Sequence, residues 1–534
     1  METDPNNSTR ETLSCYADKH ISRRQFMERA AALGVSVTAA TALWTEKAQA
    51  TPAKGGHLRV GTDGGATTDT MDPLQSIGTD HITQTIMLCY DTLTEITADG
   101  DVVPSLAEGW DTSSDGKTWT FKLRKGVEFH NGKTMTADDV VWSIRHHLSE
   151  NNKFAEGKSL AESFETIKAD GADTVVLVQK EINFDLPAHL TSFGVFIGPE
   201  GTTDWNSGNG TGPYTVENFE PGVSFKGRKF ENFYREDQGH FETVDLLNIS
   251  DSSTRSNALR TGSVDVIGQP DTKTAQRLGE VDGISLLEAA GGQHFTTAMR
   301  TDTDPFTDNN IRMAVKFGIE RQAIVDKVFG GFGYVGNDHP IGRNVPFFNK
   351  DLAQREYDPD KSRFYLKQAG LSSIDLTLAA SDGAFSGSVD MAVLMKESMR
   401  ESGINMTVDR RPGDGYWSDV WLKNPWCCVY WNGRPTADWN FSLGYESTSG
   451  WNDTYFRNAR FDELLLAARV ERDQAKRRQM YYEMQEILHN EGGTTVIAFA
   501  SYLHALSDKL GHDAVSGNRR MDDGRLARRW WFKA

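Results

Sequence analysis

Cysteine, proline and apolar runs are all scarce in this chain, whose 534 residues include 4 cysteines and 16 prolines. So few thiols exclude a disulfide-built scaffold, and stability must come from packing. Cys427 and Cys428 are adjacent, and because a bridge between neighbours is strained, two buried thiols are expected. Nowhere do the roughly 20 consecutive apolar residues occur that a membrane-crossing helix needs. Basic residues are also in deficit, with 57 Lys and Arg against 75 Asp and Glu and a net charge of −18. The first fifty residues add nothing to that balance, because Glu2, Asp4, Glu11, Asp18, Glu28 and Glu46 offset Arg10, Lys19, Arg23, Arg24, Arg29 and Lys47. An acidic surface repels phosphate backbones and anionic lipid, which argues against nucleic acid or a membrane surface as partner.

Catalytic signatures are missing too. Gly116-Lys117-Thr118 and Gly132-Lys133-Thr134 resemble the end of a phosphate loop, but Asp111 and Val127 stand where its first glycine belongs. There is no His-Glu-x-x-His helix and no Gly-x-Ser-x-Gly elbow. His146 and His147 are neighbours on a predicted helix and point about 100° apart, a poor geometry for sharing a metal. No metal and no cofactor are expected. With so many acids, a carboxylate pair of a secreted hydrolase would not stand out, and that class stays open as an alternative.

What is present begins with Ser22-Arg23-Arg24-Gln25-Phe26-Met27, a mildly apolar run from Ala30 to Leu43, and Ala48-Gln49-Ala50. This resembles a twin-arginine export signal over 1–50, cleaved near Ala50, and implies a periplasmic protein. The remaining chain alternates small β units with helices, an α/β pattern. Gly56 to Gly61 reads as a short strand entering the loop Thr62-Asp63-Gly64-Gly65, and Asp115-Gly116 marks a hairpin between Trp110 and Leu123. Thr136-Ala137-Asp138-Asp139 is a capping box ahead of Val140, Val141 and Ile144. Apolar residues from Ile311 to Val328 predict one helix ending at Gly330-Gly331. Asp358-Pro359 opens another that Gly370 closes, and 461–489 predicts a helical pair.

These segments together carry a resemblance. Asp91-Thr92-Leu93-Thr94, Val103-Pro104-Ser105-Leu106-Ala107-Glu108-Gly109-Trp110, Gly126-Val127-Glu128-Phe129-His130-Asn131-Gly132, Gly210-Thr211-Gly212-Pro213-Tyr214 and Tyr357-Asp358-Pro359-Asp360-Lys361 are similar to the family 5 solute-binding proteins of ABC importers. The resemblance implies a two-lobed periplasmic-binding-protein fold, with lobe I from 51–285 and 500–534, including an extra subdomain, and lobe II from 286–499. It also implies a non-catalytic, monomeric receptor that closes on a small solute and hands it to ABC permease transmembrane subunits.

Peptide-binding members carry Trp-x-Gly or Trp-x-Ala followed by an aspartate that holds the peptide ammonium. Aligned on Trp431-Asn432-Gly433, this chain has Arg434 instead. A guanidinium offers a carboxylate two parallel hydrogen bonds, so a peptide-like or amino-acid-derived solute with a carboxylate is expected. Asp438 would take an ammonium or hydroxyl, or neutralise Arg434. Trp431, Trp439 and Phe441 are expected walls, with Tyr416 and Trp417 behind them, and Gln293, His294, Phe295, Asp63 and Gly64 complete the candidate site. Indole faces also stack on sugar rings, so a glycan receptor of the same fold is the runner-up.

Overall fold

The computed structural model describes residues 52–75 and 78–534; the export-signal expectation for 1–50 lies outside the described residues. Two long antiparallel strands, Ile284–Met299 and Thr494–Ser507, organise the molecule. At one end they continue a half-sheet through Val266–Gly268, His57–Thr62, Thr243–Asn248, Ser224–Lys229 and Tyr214–Glu220. At the other they pair with Trp426–Trp431, which leads to Ile374–Ala380 and Ile404–Arg410. The expected borders at 285/286 and 499/500 therefore fall within the two shared strands. Between Ala290 and His294 their register shifts, and Gly291 sits where an added Cβ would lie 2.4 Å from the Ala500 carbonyl oxygen.

Each half has its own core. Leu58, Val60, Ile86, Tyr90, Phe225 and Trp530 bury one, and Ile311, Leu378, Met395, Trp426 and Ile497 bury the other. The free Cys427 and Cys428 belong to that second core, as the two-thiol reading expects. The described chain's two ends meet, since Pro52–Ala53 pairs with Trp531–Lys533. A separate antiparallel sheet of Ala107–Thr112, Thr118–Leu123, Thr174–Gln179 and Phe164–Ala169 packs beneath helix Ala137–His146. Its helix starts as the capping box predicts, with the Thr136 amide donating to Asp139 Oδ2 at 2.9 Å.

The predicted helix from Ile311 to Val328 is in fact two, Asn309–Phe317 and Arg321–Val328, interrupted at Gly318. Gly318 caps the first helix, whose carbonyls at Ala314 and Val315 accept its amide, so continuous apolar periodicity concealed a turn. His146 stacks on Trp142 at 5.0 Å and His147 is buried, which explains this pair by packing. No group of metal-ligating side chains exists among the described residues, and none of their helices is long and apolar enough to cross a membrane.

Candidate functional site

Where the two halves face each other lies a cavity of about 770 Å³. One wall comes from the loop after the first strand (Asp63, Gly64), the start of helix Asp80–Cys89, and Phe154 with Glu156 at the start of helix Ala155–Glu162. The opposite wall holds Asn432 to Pro435, Trp439 and Trp451, and the floor adds Gln293, Tyr502 and the C-terminal return from Asn518 to Gly524.

Arg434 is placed by two glycines. An added Cβ on Gly433 would come within 2.6 Å of the Gly292 backbone, so only glycine lets this loop lie flat on the crossing strand. Asn440 then ties the loop down, its Oδ1 accepting from the Arg434 amide at 3.2 Å and its Nδ2 donating to the Arg434 carbonyl at 2.9 Å. Arg434 Nη1 donates to the carbonyls of Asn432 at 2.9 Å and Gly433 at 3.1 Å, and the guanidinium lies over the Trp439 ring at 5.7 Å. Among the described residues no carboxylate comes within salt-bridge distance of it. Burial depresses its affinity for a proton, Glu156 opposes that, and the charge of Arg519 adds to it.

The structure gathers Asp63, Gly64, Gln293, Arg434 and Trp439 in the cavity wall and places the other expected residues elsewhere. Asp438 does not neutralise Arg434. It is buried and bonded by Arg469 Nε at 3.0 Å, and burial raises its carboxyl against the pull of Arg469. Phe441, one turn-face away on helix Ala437–Gly444, packs against Phe461 at 5.3 Å in a core. Tyr416 is buried too, its hydroxyl donating to the carbonyls of Ala379 and Cys428. Trp417, Trp421, Trp431 and Trp451 form an edge-to-face cluster, of which Trp451 alone reaches the cavity. Trp421 and Trp431 both donate to Asp453 Oδ2 at 3.2 Å. His294 lies behind Gln293, its ring tilted against Phe499 at 5.1 Å, with burial lowering its ring to about 4; Phe295 stacks on Phe329 at 4.5 Å.

Several wall residues carry no sequence signal. Arg520 stands 3.6 Å from both Asp63 and Asp80. Burial raises the Asp80 carboxyl to about 7, a shift that Arg520 opposes and Asp63 reinforces. Arg519 lies over the Phe193 ring at 4.7 Å. Both arginines are presented by a turn in which Met521, Asp522 and Asp523 all have positive φ, at 55°, 54° and 59°, a conformation unfavourable for non-glycine residues. Asp522 pins that turn: its Oδ1 accepts from the Ser516 amide at 2.8 Å and Arg529 at 2.9 Å, and its Oδ2 from the Trp530 indole at 3.2 Å. The hydroxyls of Thr79, Thr83 and Ser192, all on wall residues, have no partner among the described residues. The site is thus a polar cavity with unspent cations, hydroxyls and indole faces, suited to holding a small charged organic molecule.

Comparison with known proteins agrees with this architecture. The family model described as "Bacterial extracellular solute-binding proteins, family 5 Middle" matches residues 101–453. A dipeptide-binding protein of Escherichia coli K12 is 26% identical over 75% of this chain and 81% of its own length. Heme-binding protein A of Haemophilus influenzae is 24% identical over 78% of this chain and 84% of its own. The solved periplasmic murein tripeptide-binding protein MppA, in an unliganded open form, superposes with a TM-score of 0.79 at 18% identity, covering 90% of this chain and 98% of that one. The fold is the two-lobed α/β architecture of periplasmic binding proteins that the sequence predicts.

Proposed function

Because the chain belongs to the bacterial extracellular solute-binding proteins of family 5, we propose that it is the exported receptor of an ABC importer. It captures a small peptide-like or amino-acid-derived solute whose carboxylate Arg434 holds, and delivers it to the transmembrane permease without chemical turnover. Residues 51–285 with 500–534 form one lobe, 286–499 form the other, and 1–50 act as a twin-arginine export signal. Solute contacts made by both lobes favour the closed state, and closure excludes water and strengthens the charge contacts inside.

The observation that carries this reading is Arg434, which sits in the cavity wall held by two backbone carbonyls and an indole face rather than by an acid. A cation removed from water and left without a counter-charge is costly, and a bound carboxylate removes that cost. A glycan or glycoside is the second reading, favoured by the indole faces of Trp439 and Trp451 in the same wall. Mass spectrometry of the molecule that co-purifies with the native protein identifies the solute. X-ray scattering with that molecule added back is expected to show a smaller radius of gyration. An unchanged radius, or conversion of the solute to product, contradicts the receptor reading.

A further inference from the structure

Arg434 and Arg519 come from distant parts of the sequence and enter the same cavity. Each guanidinium rests on an aromatic ring, Arg434 on Trp439 at 5.7 Å and Arg519 on Phe193 at 4.7 Å. Neither has a carboxylate within salt-bridge distance among the described residues. Their neighbours in the C-terminal return differ: Arg520 has Asp63 and Asp80, Arg528 has Asp91, and Arg529 has Glu95 and Asp522. The acids of the wall divide the same way. Asp63, Asp80 and Asp523 each face an arginine, whereas Glu156 faces none that close.

We infer that the solute carries two acidic charges and one cationic group, the two acids shared between Arg434 and Arg519 and the cation received by Glu156. This deepens the receptor reading and rests on it. Two guanidiniums close enough to feel each other's charge, as the lowered proton affinity of Arg434 by Arg519 shows, repel in a cavity that partly excludes water. Among the wall groups without a salt-bridge partner, Glu156 offsets one of the two guanidiniums and leaves one positive charge over. A solute with one acid and one ammonium sums to zero and leaves that excess. One with two acids and one ammonium sums to −1 and cancels it, while each acid gains charge-assisted hydrogen bonds from an arginine. The ring faces under both guanidiniums keep them oriented and partly dry, which favours planar, two-toothed binding of carboxylates.

The test compares two dipeptide probes of nearly equal shape, Gly-Asp and Gly-Asn, titrated into the mature protein and read by tryptophan fluorescence. Gly-Asp is expected to bind at least about tenfold more tightly than Gly-Asn, the equivalent of about 1.4 kcal/mol. Arg519→Gln is expected to erase that difference, Arg519→Lys to keep most of it, and Glu156→Gln to weaken both probes alike. Equal affinities, no response to either probe, or a Gly-Asp preference that survives Arg519→Gln overturns the inference. A co-purified solute that compacts the protein and depends on Arg434 but not on Arg519 overturns the clamp and leaves the receptor reading standing. One that causes no compaction removes the receptor reading itself.

Discussion

Arg528 and Arg434 are both arginines drawn out of water in one molecule, yet their surroundings are opposite. Arg528 is 1% exposed and fully provided for: Asp91 pairs with it, Gln238 accepts at 3.1 Å, and the carbonyls of Met87 and Tyr90 accept at 2.9 and 3.2 Å. Arg434 has two carbonyls, a ring face and, among the described residues, no acid within salt-bridge distance. The first arrangement spends its charge on the fold, fastening the C-terminal return to helix Asp80–Cys89. The second leaves its charge for whatever enters the cavity. On the proposed reading, closed charges serve the fold and open ones are left for the solute.

That contrast breaks most visibly at the closed end. Arg528→Met strands Asp91 as an unpaired buried carboxylate, and ~3–5 kcal/mol of unfolding free energy should be lost; urea denaturation followed by tryptophan fluorescence measures it. A loss below about 1 kcal/mol would show that the pair contributes little to the fold.

An acid with no cation in salt-bridge reach among the described residues gives the mirror case. Burial raises the Asp453 carboxyl to about 7, against the two indole N–H bonds from Trp421 and Trp431. Between the ordinary value of 3.8 and about 7 the folded protein keeps a proton that the unfolded chain has released. Stability therefore falls as pH rises through that window and levels off above it, by up to ~4 kcal/mol at ~1.4 kcal/mol per unit. Asp453→Asn keeps a carbonyl for both indoles and cannot titrate, so its urea midpoint should fall less over the same range. Parallel pH profiles for the two proteins would exclude Asp453 as the source.

A smaller effect sharpens the placement of Arg434. In Gly433→Ala the new methyl meets the Gly292 backbone, and overpacking of this kind costs ~1–3 kcal/mol. Solute binding should weaken alongside the lower melting temperature, because the loop that aims Arg434 must lift. Normal affinity at reduced stability would mean that the loop's position does not matter to the solute.

The contrast also explains what sequence reasoning reached. The run from Asp91 to Val140 and the helices from Pro359 onward carry local turn and capping signals, so the fold was legible. Arg434 stands out in the sequence because the resemblance expects an aspartate there, and the structure places it in the cavity wall. Side-chain direction was harder. Trp439 and Phe441 share a helix, but their positions differ by about 200° around it, so one faces the cavity and the other the core. Gln293 and His294 alternate across a strand with the same result. The C-terminal wall was invisible: Arg519-Arg520 reads as surface charge, and the left-handed turn that presents it contains no glycine before Gly524. Backbone bonds from Asp523 to Arg519 and from Gly524 to Arg520, the Arg525–Asp523 pair and the tertiary bonds to Asp522 hold that turn.

The most direct test of open against closed charge is one comparison in calorimetry: the co-purified solute titrated into wild-type protein and into Arg434→Ala. Binding should weaken by ~2–5 kcal/mol, at least ~30-fold in Kd, while the unfolding midpoint stays where it was. An unchanged Kd with the fold intact would make Arg434 a structural residue and contradict the account.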